Sequence, residues 1–250
     1  MIRRALLVVA KRPSPGRTKT RLCPPLTGRE AADFYRCLLL DTLDLIRSGP
    51  DVHPFIAYLP PDAAGYFRAL APDFDLLAQH GVDLGARLDN ALTHCLQNGF
   101  RQVVIMNSDG PTLPVANLFR AFEILDEGSD VVLGPCEDGG YYLVGITAPQ
   151  PDLFRGMRMS TPSVLDETLA RAAAGGLSVA KLPTWYDVDT VADIKRLAAD
   201  LSEPNCGAGR HTQRYLDANP HLSISDKGMD SERRLSRYGD ENGGDHPGAE

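Results

Sequence analysis

Cysteine is sparse in this chain: Cys23, Cys37, Cys95, Cys136 and Cys206 are scattered, odd in number and never spaced as C-x-x-C. Neither a disulfide framework nor a zinc site is signalled, and reduced thiols are the expectation. No run approaches the ~18 apolar residues that a membrane span needs. Met1-Ile2-Arg3-Arg4 followed by ALLVVA has the charge order of a signal peptide. That apolar run is shorter than the roughly 7–15 residues required, no small-residue cleavage site follows, and the cytoplasm is the expected compartment. A dinucleotide fingerprint and a G-x-S-x-G elbow are both missing, so neither a Rossmann dehydrogenase nor a serine hydrolase is supported. The six histidines form no metal-spaced or triad-like set. Positive charge is not in excess either. A formal net charge of −7 argues against a nucleic-acid binder.

What is present is a 250-residue chain with 43% apolar and 24% charged residues, ordinary values for a soluble globular protein with a sizeable core. Against the acidic total, the stretch ALLVVAKRPSPGRTKTRL from Ala5 to Leu22 stands out. Its apolar start, Ala5 to Ala10, runs into a loop with Lys11, Arg12, Arg17, Lys19 and Arg21 and no acid. A short apolar run ended by Pro and Gly reads as a buried strand of a parallel sheet. Ligands of open α/β sheets bind beyond the carboxyl ends of the strands. A cationic loop there suits a polyanion such as a nucleotide's phosphates, and the alternative is a solvated basic turn. The Lys19-Thr20 pair imitates a Walker loop, but Thr18 stands where that motif needs Gly before the Lys.

Strands alternate with helical patterns along the chain. Thr27 and Glu30 form a capping-box pattern that opens a helix to about Ser48, and Gly49-Pro50 stops it. Strands are expected near 52–58, 75–78, 102–107, 130–134, 141–146 and 178–182. Leu84, Leu88, Leu92 and Leu96 carry a helix closed by Gly99, and another helix runs from about 114 to 125. Thr161-Pro162 reads as an N-cap with proline at the first helical position, and Thr190 caps a last helix to about Asp200. This order argues for a single doubly wound α/β domain. From Leu201 onward large aliphatics are rare, and a mostly disordered tail over 201–250 is expected.

Three acidic or glycine-rich segments carry further chemistry. Asp109 in NSDGP lies at the expected end of a strand, where a carboxylate can hold Mg²⁺ or Mn²⁺ against phosphate oxygens or merely start an Asx turn. Asp187 and Asp189 in WYDVDT alternate on an extended segment and can face one site, or one of them can cap the last helix. Glu137-Asp138-Gly139-Gly140-Tyr141-Tyr142 offers close backbone approach and aromatic contact, or an ordinary hairpin turn.

With AKRPSPGRTKTRL, QHGVDLGARL, NSDGPTLP, EDGGYYLVG, MSTPSVLDET and WYDVDTVADI in that order, the chain resembles the bacterial DUF2064 family of GT-A-fold glycosyltransferases over about residues 5–198. Some members are named arsenosugar-biosynthesis glycosyltransferases, and molybdopterin and phospholactate guanylyltransferases belong to the same superfamily. The resemblance implies a mostly parallel GT-A-type sheet and a metal-dependent transferase. It implies Lys11, Gly16, Arg17, Lys19 and Arg21 along the phosphates and Gln79, Gly81 and Gly85 at the base. Lys19, Arg21 and Asp109 would act in catalysis, and Asp109, Asp189 and Asp187 would hold the metal. Gly139, Gly140 and Tyr141 would border a small acceptor or sugar. Two departures stand out: Asn107 replaces the first acid of the usual Asp-x-Asp, and Met159 the usual Trp of the fifth block. Glycosyl transfer from an NDP-sugar leads by family naming. Nucleotidyl transfer from an NTP suits the dense cations, and Asn107 is the one support for an inactive nucleotide-binding module.

Overall fold

The computed structural model describes residues 3–159, 161–203 and 208–222. Seven strands form one sheet: β1 (Arg4–Lys11), β2 (His53–Leu59), β3 (Asp75–Ala78), β4 (Gln102–Met106), β5 (Val131–Pro135), β6 (Tyr141–Ile146) and β7 (Val179–Lys181). Their order is β3-β2-β1-β4-β6-β5-β7. Only β6 runs against its neighbours β4 and β5. The mostly parallel α/β sheet expected from the sequence is therefore present.

The helices are α1 (Gly28–Arg47), α2 (Ala64–Leu70), α3 (Leu84–Gln97), α4 (Val115–Asp126), α5 (Pro151–Phe154), α6 (Val164–Ala174), α7 (Val191–Leu201) and α8 (Arg210–Ala218). Strand residues alternate between two apolar layers. Leu6, Val8 and Ala10 pack with α1, α2 and α4, while Ala5 and Leu7 pack with α3, α5 and α6. Both faces are covered, so the strands read as unbroken apolar runs. A third cluster gathers Leu22, Phe34, Tyr35, Tyr186, Val188, Leu216 and Leu222 behind the loops at one rim of the sheet.

Local chemistry sets the boundaries. The Thr27 hydroxyl accepts from Glu30 N at 3.2 Å and the Glu30 carboxylate accepts from Thr27 N at 2.7 Å, so the capping box is closed. Thr190 and Asp193 form a second box at α7. Pro54 falls second in β2, where an early proline costs little. Thr161-Pro162 does not start a helix: α6 begins at Val164. The reason is tertiary. Leu165 N donates to Gly139 O at 3.0 Å, and a Cβ on Gly139 would lie 1.9 Å from the Pro162 carbonyl oxygen, so this turn is shaped by the β5–β6 hairpin.

Beyond residue 200 the structure also differs from the sequence reading, because residues 210–218 form α8. The buried Asp41 carboxylate on α1 accepts from His211 N and Thr212 N, both at 2.8 Å, and from the Thr212 hydroxyl at 2.6 Å. Leu216 and Leu222 fill the third apolar cluster. A count of aliphatic residues misses such a helix, because one carboxylate satisfies its amino end. The rest of the expected tail, 223–250, lies outside the described residues, as does Cys206.

Candidate active site

Six strands direct their carboxyl ends, and the reversed β6 its amino end, to one rim. A cavity of about 690 Å³ opens there, large enough for a nucleotide-sized ligand. Lys11, Arg17, Lys19 and Arg21 line it from the loop after β1, Asp109 from the loop after β4, and Asp187 and Asp189 from the segment after β7. The sequence-predicted cations and carboxylates thus share one space. Arg12 does not join them; its guanidinium lies 3.7 Å from Asp62.

The β1 loop is held by its own chemistry. Arg12 N extends the ladder to Leu59 O at 2.7 Å, and Arg17 N closes a turn on Ser14 O at 3.1 Å. Lys19 adopts the left-handed conformation, φ 48° and ψ 41°, which costs a non-glycine residue energy and marks functional loops. Leu22 anchors the following 3₁₀ turn in the core. The strain aims the Lys19 side chain inward. Its ammonium donates to Asp109 Oδ2 at 2.6 Å and to Asp189 Oδ1 at 2.7 Å, and the side chain is 6% exposed. Burial alone lowers a lysine pKa; here Asp109 and Asp189 outweigh it and hold the ammonium above its usual value. Burial likewise opposes ionisation of Asp189, but Lys19 and then Arg21, 3.2 Å away, keep its carboxyl below the usual range.

Asp187 is different. Burial first, then the neighbouring Asp109 charge, push its carboxyl up to about 8. Its Oδ2 accepts from Asn107 Nδ2 at 2.8 Å. Asn107 therefore supplies a donor where an aspartate would set a second like charge against Asp187. Val188 N donates to Asp109 O at 3.0 Å, fastening the two acidic loops together, while Val188 itself is buried in the opposite direction. The alternation read from WYDVDT is realised.

Two carboxylate oxygens, Asp109 Oδ1 and Asp187 Oδ1, are buried without any partner. A buried unpaired acceptor is costly, and a hard divalent cation bound by oxygens would relieve both. The donor set fits Mg²⁺ or Mn²⁺, an ion that commonly takes one or two protein carboxylates and completes its shell with phosphates and water. Among the described residues, the one trio of metal-type side chains with ligand atoms within 4.8 Å of one another is Asp41, Asp44 and His211. That trio is the α8 clamp. The cavity carboxylates are spread wider, with Lys19 between Asp109 and Asp189.

The remaining sequence-predicted residues divide. Gln79 is buried in the wall and donates its Nε2 to Ala57 O at 2.6 Å. Gly140 and Tyr141 line the cavity, and burial raises the Tyr141 phenol well above its usual pKa. Gly16, Gly81, Gly85 and Gly139 are not in the lining. Gly85 serves packing: a Cβ there would lie 2.0 Å from the Phe154 carbonyl oxygen. Tyr35 and Arg87 are among the wall residues that the sequence did not single out. Tyr35, on the buried face of α1, shares a 2.8 Å hydrogen bond with Ser108 and accepts from Lys11 N at 3.2 Å, so it ties β1 to β4. Arg87, on the first turn of α3, also reaches the cavity. A tyrosine on an apolar stripe beside a cationic strand end was the available signal for the first.

This sheet order and rim site define an α/β fold of the nucleotide-diphospho-sugar transferase type. A solved structure from Desulfovibrio desulfuricans G20, provisionally named a nucleotide-diphospho-sugar transferase, is 34% identical, with a TM-score of 0.81, over 89% of this chain and 97% of its own. The family model described as an uncharacterised protein conserved in bacteria (DUF2064) matches residues 42–161. The chain belongs to the DUF2064 family. The matched segment holds Asp109 and the glycine-rich hairpin, while the cationic loop and the Asp187–Asp189 segment lie outside it.

More distant structures share the fold alone. A cytidylyltransferase from Leptospira borgpetersenii is 12% identical with a TM-score of 0.57, over 91% of this chain and 99% of its own. A Mycobacterium tuberculosis protein in complex with manganese is 20% identical with a TM-score of 0.51, over 78% and 97%. No curated protein matches the sequence. No helix among the described residues is long and apolar enough to cross a membrane.

Proposed function

We propose that this protein is a metal-dependent transferase that transfers a glycosyl group from an NDP-sugar to a small acceptor. The observation that carries the reading is the single cavity in which Lys11, Arg17 and Arg21 face a wall of three carboxylates, two of them with an orphaned oxygen. The name given to the 34%-identical relative supports a nucleotide-sugar donor.

Asp109, Asp187 and Asp189 would hold Mg²⁺ or Mn²⁺, which when bound neutralises charge on a departing diphosphate. Lys19 and Arg21 sit beside those carboxylates, where they stabilise charge on the phosphates. Gly140 and Tyr141 border the acceptor. The acceptor hydroxyl attacks the anomeric carbon as the bond to the diphosphate oxygen breaks, and the hydroxyl proton passes to Asp138, or to Asp187 if Asp109 and Asp189 alone hold the ion. Substrates are a nucleotide or nucleotide-sugar and a small acceptor, with no role for nucleic acid.

A second reading, nucleotidyl transfer from an NTP to a phosphorylated acceptor with release of pyrophosphate, draws on the same cations. A triphosphate uses Lys11, Arg17 and Arg21 more fully than a diphosphate does, and the cytidylyltransferase shares the fold. Thermal stabilisation by panels of NDP-sugars and NTPs with Mg²⁺ or Mn²⁺, followed by assays for NDP or pyrophosphate release, separates the two. NDP release from an NDP-sugar is expected. Pyrophosphate release from an NTP would replace this reading with the second, binding without turnover would leave a nucleotide-binding module, and no binding with either ion would remove all three.

A further inference from the structure

Asn107 stands where an Asp-x-Asp motif would carry its first acid, yet its contacts are those of a donor. The residue follows β4, and its backbone N donates to Tyr142 O at 2.9 Å, which fixes it against β6. Its side-chain Nδ2 meets two acceptors, Asp187 Oδ2 at 2.8 Å and Tyr141 O at 3.5 Å. Turning the amide over would set its own oxygen against both, so the surroundings fix its orientation. Cys136 also faces Asp187, but a thiol is only a weak donor.

The cavity carboxylates can be followed oxygen by oxygen. Asp189 has both engaged, Oδ1 by Lys19 at 2.7 Å and Oδ2 by Arg21 at 3.2 Å. Asp109 gives Oδ2 to Lys19 at 2.6 Å, and Asp187 gives Oδ2 to Asn107. The two oxygens left over are Asp109 Oδ1 and Asp187 Oδ1, both buried. They belong to loops joined by Val188 N and Asp109 O at 3.0 Å. Asp187 Oδ1 also lies 3.8 Å from the place a Cβ on Gly110 would take, next in sequence to Asp109. A carboxylate held through one oxygen presents the other in a fixed direction, as carboxylates that bind metal ions commonly do.

We propose that Asn107 is a positioning residue for the ion site: by holding Asp187 Oδ2 it aims Oδ1 to the side of Asp109. Asp109 Oδ1 and Asp187 Oδ1 are then the protein's pair of ion ligands. Asn107 is on this account part of the ion site and no sign of a lost one, and an aspartate in its place would weaken ion binding. This inference rests on the metal-dependent reading above and adds to it a residue that acts through Asp187.

Electron paramagnetic resonance titration with Mn²⁺ tests it on wild type, Asn107→Ala, Asn107→Asp and the exchanged pair Asn107→Asp/Asp187→Asn, with a thermal melt of each. Asn107→Ala should bind Mn²⁺ about 10-fold more weakly. Asn107→Asp should lose at least as much, because a carboxylate repels Asp187 and cannot donate to it. The exchanged pair restores the hydrogen bond with donor and acceptor reversed. It should therefore melt above Asn107→Asp alone while Mn²⁺ binding stays weak, a split that a merely structural role would not produce. Mn²⁺ binding as tight as wild type, or tighter, in Asn107→Asp or in the exchanged pair would make position 107 a ligand position and overturn the inference. Wild-type Mn²⁺ affinity in Asn107→Ala would overturn it too, as would an exchanged pair that melts no higher than Asn107→Asp. Should Asn107→Ala fail to fold, the other two variants still decide. If wild type takes up no Mn²⁺, the metal-dependent reading itself falls and this inference with it, a result distinct from a loss confined to the variants.

Discussion

Two acidic clusters in this protein look alike in composition and differ atom by atom. Asp41, Asp44 and His211 are the tighter group. Yet both Asp41 oxygens accept from the start of α8. Asp44 accepts from Arg47 on one oxygen and from Arg210 and His211 on the other. Asp109, Asp187 and Asp189 are looser, but two of their oxygens are buried and unpaired. Compactness thus marks a clamp whose ligands come from the chain itself, and incompleteness marks a place for something the chain does not supply.

The sharpest way to break this comparison is Asp109→Asn. Turnover should drop about 100- to 1,000-fold, and stabilisation by Mn²⁺ in a thermal melt should vanish; a retained Mn²⁺ shift would show that Asp109 is a turn residue. Asp41→Ala should act in the opposite sense, leaving three donors without their acceptor. Urea unfolding should show a loss of about 3 kcal/mol with Mn²⁺ binding unchanged, and loss of Mn²⁺ binding would reverse the roles of the two clusters.

Lys19→Met should weaken nucleotide binding about 10-fold. In the absence of nucleotide the same change should tighten Mn²⁺ binding measured by electron paramagnetic resonance, because the ammonium no longer competes for Asp109 and Asp189. Equal or weaker Mn²⁺ binding would show that Lys19 prepares the carboxylates rather than occupying them. Thr212→Val removes one of the three donors to Asp41 and should cost about 1 kcal/mol in the same urea experiment, with no effect on turnover.

Most of the sheet was legible because its strands are short apolar runs and its helices carry their own caps, such as Thr27 with Glu30 and Thr190 with Asp193. These signals are local. The start of α6 was misread at Thr161 because its position depends on the Gly139 backbone, which no local pattern reports. α8 escaped for the same kind of reason: its amino end is satisfied by Asp41, some 170 residues earlier in the chain. At the candidate site, residue types and strand ends pointed to Lys19, Asp109, Asp187 and Asp189. The sequence could not tell that Lys19 bridges two of those carboxylates, or that Gly85 faces Phe154 rather than the cavity, since both depend on packing between elements distant in sequence. Arg87 lay inside a quoted motif, but its place in the cavity wall is visible only once every neighbour has been placed.

The reversed strand β6 has a consequence for remodelling this scaffold. Because β5 and β6 meet the rim as a hairpin, the turn at 137–140 is joined on both sides to paired strands rather than to a crossover helix. Its backbone is fastened by Leu165 N to Gly139 O and by Glu137 N to Trp185 O, so its side chains rather than its length can be altered while the register of both strands is kept. Exchange of the side chains of this one turn, with a residue free of side chain retained against the Pro162 carbonyl, is therefore the conservative route to a differently shaped cavity mouth that leaves the loop after β1 in place.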